Sequence, residues 1–415
     1  WIGDIPERHD TYWSNEAAMA EGNPTMALER GESVQTPPAL WIQGRPDPVH
    51  DYNDPDSDFD GNEPDRFAAR YRAAGYQCQT LSRTEGIASV VARSGSGAPQ
   101  LALNCHIDTV DVGAVSDWRS DPFQATLENG MIYGLGANNC KASTALHIWL
   151  GEEIMRSGGP KQGEIVFTFT GDEERLGSEG MAYLREMGAL KPDIMLVGGP
   201  TENDLITEER GVLWVRITAT GRAAHGGDPD AGDNAILRMI RLVEHLRAEL
   251  EPRLAKRQSG AKQSTMNIGR IQGGHNVNVV PSSCVLEIDR RLLPDEDVQA
   301  AYREFGEILA TSGEPAESFA TEFLTGNNGF SPPLDGPGIT ALSAAIEARR
   351  GRAPEILNAL AVSEGRFFAD DNIEIVNFGP GDGATSHAAN EHVALDQMVD
   401  GALILRDTVA RLLGF

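Results

Sequence analysis

Two rhythms of apolar and polar residues alternate along this chain. Short, nearly continuous apolar runs read as strands buried on both faces. They are IASVVAR (87–93), PQLALNCHID (99–108), GEIVFTFTGDEE (163–174) and PDIMLVGGP (192–200). Longer runs with helical spacing lie among them: DRFAARYRAAG (65–75), ending on a glycine stop, ASTALHIWLGEEIMRSGG (142–159) and GSEGMAYLREMG (177–188). This alternation predicts an α/β sandwich with mainly parallel strands. The first sixty residues, rich in Pro and Asp, break the rhythm and read as loops around a short helix near Asn15 to Gly31.

The texture changes at Gly211. Strand GVLWVRITATG (211–221) precedes a long helix, DNAILRMIRLVEHLRAEL (233–250). Strands STMNIGRIQGG (264–274) and SSCVLEIDRRL (282–292) follow, then helix VQAAYREFGEILATSG (298–313). Strand–helix–strand–strand–helix is a compact α+β unit. After Asn327 the α/β rhythm returns with helix ITALSAAIEARRG (339–351), strand IEIVNFGPG (373–381) and a final helix. The pattern therefore predicts a catalytic α/β domain in two parts, 1–210 and 328–415, interrupted by a smaller domain at 211–327.

A length of 415 residues is too great for one ordinary core, which agrees with that division. Lys and Arg number 35 against 62 Asp and Glu, a net charge of −27 that argues against nucleic-acid and anionic-membrane partners. No apolar run approaches the ~20 residues of a membrane helix. The four cysteines, Cys78, Cys105, Cys140 and Cys284, form no CxxC pair, and no secretory signal pattern opens the chain. A cytoplasmic protein without disulfides is the expectation.

With only nine histidines, their placement carries information. His106 and Asp108 form HxD at the end of a strand, where α/β sheets collect functional groups. The imidazole suits a divalent metal, and the carboxylate suits orienting the ring. Glu173 and Glu174 end another strand; one can bind metal while the other acts as general base on water. His387 follows a third strand in GPGDGATSHAANEH and offers a further ligand. Each signal alone fits a structural histidine or a solvated loop, so their convergence carries the argument.

Eight stretches, in order, resemble the aminoacylase, acetylornithine deacetylase, succinyl-diaminopimelate desuccinylase and glutamate carboxypeptidase family of metallohydrolases. They are NCHIDTV, YGLGANNCK, FTGDEERLGSEG, VGGPT, GRAAHGGDPDAGDNA, GGHNVNVVPSSC, DRRLLP and GDGATSHAANEH. The resemblance implies a dimerisation or lid role for 211–327, and hence a homodimer or larger homo-oligomer. It implies His106 as a metal ligand, Asp108 as its orienting acid, Glu173 as general base, and Glu174 and His387 as ligands of a second metal. It also implies His225 as a lid histidine reaching a substrate oxygen, often in the neighbouring subunit. Asn278 and Arg291 would hold a substrate carboxylate, and Arg366, in SEGRFF, matches an arginine near the site.

Two positions depart from the family pattern. Asn139 stands where the family has a bridging aspartate, and Gly199 where it has an acidic ligand. A neutral amide is a poor bridge between two dications, and glycine offers no ligand. The expectation is one labile Mn or Zn per chain, held by Glu174, His387 and one of His106 or Asn139. The reaction expected is hydrolysis of a C–N bond in a small carboxylate-bearing substrate. The altered site resembles a divergent branch that removes the amine from an electron-poor aromatic such as 5-nitroanthranilate. A conventional dinuclear N-acyl amino acid amidohydrolase or carboxypeptidase, or a silent ligand-binding relative, stays open.

Overall fold

The computed structural model describes residues 63–259, 262–359 and 361–415; the helix expected near Asn15 to Gly31 lies outside them. The chain order begins α1 (Glu63–Ala74), β1 (Gln77–Leu81), β2 (Ser89–Gly95), β3 (Gln100–His106), β4 (Thr126–Glu128) and β5 (Met131–Tyr133). It continues α2 (Ala142–Arg156), β6 (Glu164–Thr170), α3 (Met181–Glu186) and β7 (Ile194–Gly198). The inserted segment holds β8 (Gly211–Thr220), α4 (Ala235–Leu254), β9 (Thr265–Gly273), β10 (Ser283–Leu292), α5 (Val298–Leu309) and β11 (Phe319–Asn327). The chain closes with α6 (Pro337–Arg350), β12 (Glu374–Phe378), β13 (His392–Ala394) and α7 (Leu395–Leu413).

The main sheet has the order β1-β2-β6-β3-β7-β12. Its β3–β6, β3–β7 and β7–β12 pairings are parallel; β1–β2 and β2–β6 are antiparallel. Leu101, Leu103, Ile165 and Phe167 are fully buried, which is why these strands read as continuous apolar runs. The buried Glu374 carboxylate on β12 accepts the Gly338 and Ile339 N–H groups in the first turn of α6. It thereby satisfies two N–H groups of a helix end at buried positions.

The second sheet runs β9-β10-β8-β11, antiparallel throughout. Leu213, Val215 and Ile217 from β8 pack with Leu242 and Leu246 of α4 and Phe305 of α5. The sequence pattern missed β11. It is an edge strand of sequence FATEFLTGN, half-exposed along its length, so its alternation is weak. It also missed the small β13-β5-β4 sheet, whose three-residue strands are too short to show a period. Among the described residues no helix is long and apolar enough to cross a membrane, and the four cysteines are unpaired.

One ionic cluster stands out in the second unit. The Arg290 side chain is fully buried and pairs with Glu296 at 3.0 Å and Glu304 at 2.9 Å. Arg257 bonds the same two acids. Charges removed from water are tolerated only while all partners are present. Glu304→Ala is therefore expected to destabilise this unit by ~3–5 kcal/mol, seen as an early transition in urea unfolding. An unchanged unfolding curve would show the network to be dispensable.

Candidate active site

The carboxyl ends of β3, β6, β7 and β12 converge, and the residues that follow them build the site. At the end of β3, successive side chains point to opposite faces. Cys105 turns into the core, with Sγ 2.9 Å from His147 Nδ1, and burial lowers His147 to about 3. His106 turns the other way, into the site. Its Nδ1 lies 2.9 Å from the Asp108 carbonyl and 3.5 Å from Oδ1 of the Asp108 carboxylate, leaving Nε2 free to face the site.

Asp108 also reaches across the sheet. Its carboxylate accepts the backbone N–H of Glu173 at 3.2 Å and of Glu174 at 3.1 Å, just beyond β6. Burial would raise this acid, but the hydrogen bonds to His106 and these N–H groups hold it below the usual range. One ligand atom each from His106, Glu173 and Glu174 lies within 4.8 Å of the other two. The Glu173 side chain is 12% exposed, and burial pushes its pKa up to about 8, against the pull of His106.

His387 completes the cluster from the turn after β12. Its Nε2 is 2.9 Å from Glu174 Oε1, and this bond raises its pKa. Asn139 sits at the centre: Nδ2 donates to Glu174 Oε1 at 2.9 Å and lies 3.1 Å from His387 Nε2, while Oδ1 faces His106 Nε2 at 3.4 Å. An amide in this place offers one oxygen and turns hydrogens toward the other donors. Gly199, at the end of β7, leaves open space: a Cβ built there would meet nothing within 4 Å. His106, Glu173 and Glu174, with His387 beside Glu174 and the Asn139 oxygen beside His106, form a donor set of a kind that suits a divalent ion. The mutual repulsion of a close pair of ions calls for a bridging anion, a charge that the neutral amide of Asn139 does not carry.

Two residues gain importance from the structure. Glu391, buried beneath the Gly136–Asn139 turn, accepts the N–H groups of Gly136, Asn138 and Asn139 at 2.9, 2.9 and 2.7 Å. Sequence reasoning passed over it, although it is the next-to-last residue of the quoted stretch GDGATSHAANEH. Glu364 is buried between β3 and β6, where it accepts from Asn104 at 2.9 Å and from Thr170.

The four remaining expected residues separate. Arg366 lies in the site, 4% exposed, with Nη1 3.8 Å from Glu173 Oε1. Its Nη2 is buried and has no hydrogen-bond partner among the described residues. Arg291, expected to hold a substrate carboxylate, is already engaged by Asp289 in a bidentate pair at 2.9 and 3.0 Å. His225 and Asn278 are both exposed and meet in the inserted unit, where the Gly226 N–H donates to the Asn278 carbonyl at 2.7 Å. No hydrogen bond or ion pair joins either of them to the His106–Glu173–His387 cluster among the described residues.

An α/β sheet with histidine and carboxylate donors at its strand ends, beside a largely buried glutamate, is the arrangement of a metal-dependent hydrolase. The chain belongs to peptidase family M20/M25/M40, whose model matches residues 102–411. It is 30% identical to a succinyl-diaminopimelate desuccinylase of Bordetella avium, over 84% of this chain and 92% of the relative. A desuccinylase of Thiobacillus denitrificans is also 30% identical, covering 84% and 89%. Among solved structures, an M20 metallo-carboxypeptidase of Sulfolobus solfataricus shares the fold with a TM-score of 0.68 at 16% identity, covering 85% and 93%. A dinuclear metal-binding M20 peptidase of Bacillus subtilis does so with 0.61 at 14%, covering 84% and 91%. Enzymes of this family act on C–N bonds, and the α/β fold with its smaller second unit is theirs.

The role of Glu391 yields a direct test. Glu391→Ala removes the acceptor for three N–H groups that shape the Asn139 turn. Zinc affinity, read by titration calorimetry, is expected to fall about 10–100-fold, the usual effect of losing a residue that orients metal ligands. Unchanged affinity would mean that the turn holds itself.

Proposed function

We propose that this chain hydrolyses the amide C–N bond of a small N-acylated, carboxylate-bearing substrate, such as an N-succinyl or N-acetyl amino acid, with one divalent Mn or Zn ion. The observation that carries this reading is the buried Glu173 carboxylate between His106 and Arg366, beside a one-ion donor set. In this scheme His106, Glu174, His387 and Asn139 hold the ion, and Asp108 fixes the His106 ring. The ion supplies Lewis acidity toward the scissile carbonyl and a neighbouring water. Glu173 takes the proton of the attacking water and passes it to the leaving nitrogen. Its burial favours the neutral acid, whereas the Arg366 guanidinium and a dication favour the ionised base the reaction needs.

Arg366 takes the substrate carboxylate, since its unpartnered Nη2 can donate to an anion. Arg291, engaged by Asp289, is the weaker candidate for that task. His225 and Asn278 would act from the inserted domain, 211–327, of a neighbouring copy in a homodimer. The exposed edge strand β9 and the exposed Leu237 and Ile240 of α4 support such a contact. Unpaired cysteines suit a reducing cytoplasm. Deamination of an aromatic ring finds no support in these relatives, which are named as desuccinylases, so amide hydrolysis stands as the reading here.

Two measurements test this. Metal analysis of the protein loaded with zinc is expected to give one ion per chain, rising to two in the Asn139→Asp/Gly199→Glu double variant. Two ions in the unaltered chain would overturn the one-metal reading. A panel of N-succinyl and N-acetyl amino acids, with 2-aminobenzoates alongside, identifies the bond cleaved. Glu173→Ala should lower kcat on the amides by ~10²–10⁴-fold. Turnover of only the aminobenzoates would overturn amide hydrolysis, and activity that survives Glu173→Ala would overturn the role of this base.

A further inference from the structure

The two connectors between the main sheet and the inserted unit run side by side. The Glu209 N–H donates to the Phe330 carbonyl at 3.0 Å, and the Phe330 N–H returns to the Glu209 carbonyl at 3.1 Å. Glycines permit this approach: a Cβ on Gly329 would stand 2.5 Å from the Glu209 carbonyl oxygen, and one on Gly211 2.6 Å from that of Asn327.

Within this pair the Glu209 side chain points away from solvent, into the catalytic half, and is buried. One carboxylate oxygen accepts from the Asn377 amide on β12, and the other accepts the Ser363 N–H at 2.7 Å. Ser363 begins the turn that carries Arg366, and its carbonyl accepts Arg366 Nη1 at 3.1 Å. That same Nη1 is the atom 3.8 Å from Glu173. The other connector touches this turn as well, since a Cβ on Gly365 would lie 3.3 Å from the Phe330 ring. A buried carboxylate is costly to keep, and a hydrogen-bonded anchor at each oxygen offsets that cost.

We propose that Glu209 is a positioning residue: from the connector of the inserted domain it holds Ser363, and through Ser363 it aims Arg366 at Glu173 and the substrate carboxylate. A displacement of the inserted domain that strains the connector is then felt at Arg366. This rests on the reading of Arg366 and Glu173 given above. A merely structural Glu209 would stabilise the fold without any special coupling to Arg366.

The test compares Glu209→Ala with Glu209→Gln. Glutamine can accept from Ser363 and donate to a flipped Asn377 amide, so it retains both bonds. In the alanine variant, hydrogen exchange of the 363–368 amides is expected to accelerate. The ratio kcat/KM on the amide substrate should fall about tenfold, the equivalent of one lost buried anchor, with KM raised. Glu209→Gln should keep slow exchange and near-normal turnover. In an Arg366→Ala background, Glu209→Ala should add no further loss. Unchanged exchange in the alanine variant, or losses that multiply in the double variant, would overturn the proposal. If Glu209→Ala does not fold, Glu209→Asp, too short to reach both partners, is read in the same way. Should the unaltered enzyme cleave none of the amides, amide hydrolysis falls, and exchange at 363–368 still decides the role of Glu209.

Discussion

The Asp108 carboxylate holds this site together. It lies beyond the end of β3, yet its two oxygens accept the N–H groups of Glu173 and Glu174, beyond the end of β6. It also sits 3.5 Å from the His106 ring. One side chain therefore fixes the histidine orientation and the backbone of both glutamates in a single frame. A water molecule in its place would lack the charge and the covalent reach to do this. The other constraints act outward from that frame: Glu391 shapes the Asn139 turn from below, and Glu364 ties β3 to β6 beneath the site.

The electrostatics of the cluster turn on one missing charge and one missing side chain. With aspartate at 139, a carboxylate could bridge two dications and offset part of their repulsion. With asparagine, the same position offers a single oxygen, and its hydrogens point at Glu174 and His387. In this geometry the amide donates to Glu174, a largely buried carboxylate that also meets His387. The open space at Gly199 follows the same logic, because a second ion there would have no anionic donor of its own. Neither position brings an anionic side chain to the site.

Much of this was legible in the sequence because the signals were local. Continuous apolar runs ending in HID, GDEE and GPG mark buried strands with functional ends, and all three ends meet in the structure. Opposite facing on a strand separates Cys105 from His106. The illegible parts depend on contacts between distant segments. Strand β11 carries no strong period, because an edge strand with one face half in water needs none. The bidentate hold of Asp289 on Arg291 was readable as spacing, two residues apart on one strand face, but only the rotamers show the pair closed. Glu391, Glu364 and Glu209 look like surface acids in one dimension. Each is buried because another segment brings N–H or amide donors to it.

That last group also explains how an acidic chain keeps several carboxylates out of water near one site. Glu173, Glu209 and Glu364 all feel the charge of the Arg366 guanidinium, and burial pushes all three toward the neutral form. A single arginine cannot neutralise three ionised acids in a medium of low polarity. Glu209 and Glu364 are therefore held chiefly by backbone N–H, amide and hydroxyl donors. Among the described residues no such donor reaches the Glu173 carboxylate. Its ionisation instead depends on what occupies the space before it, so it is the acid in this cluster whose charge binding at the site can change most.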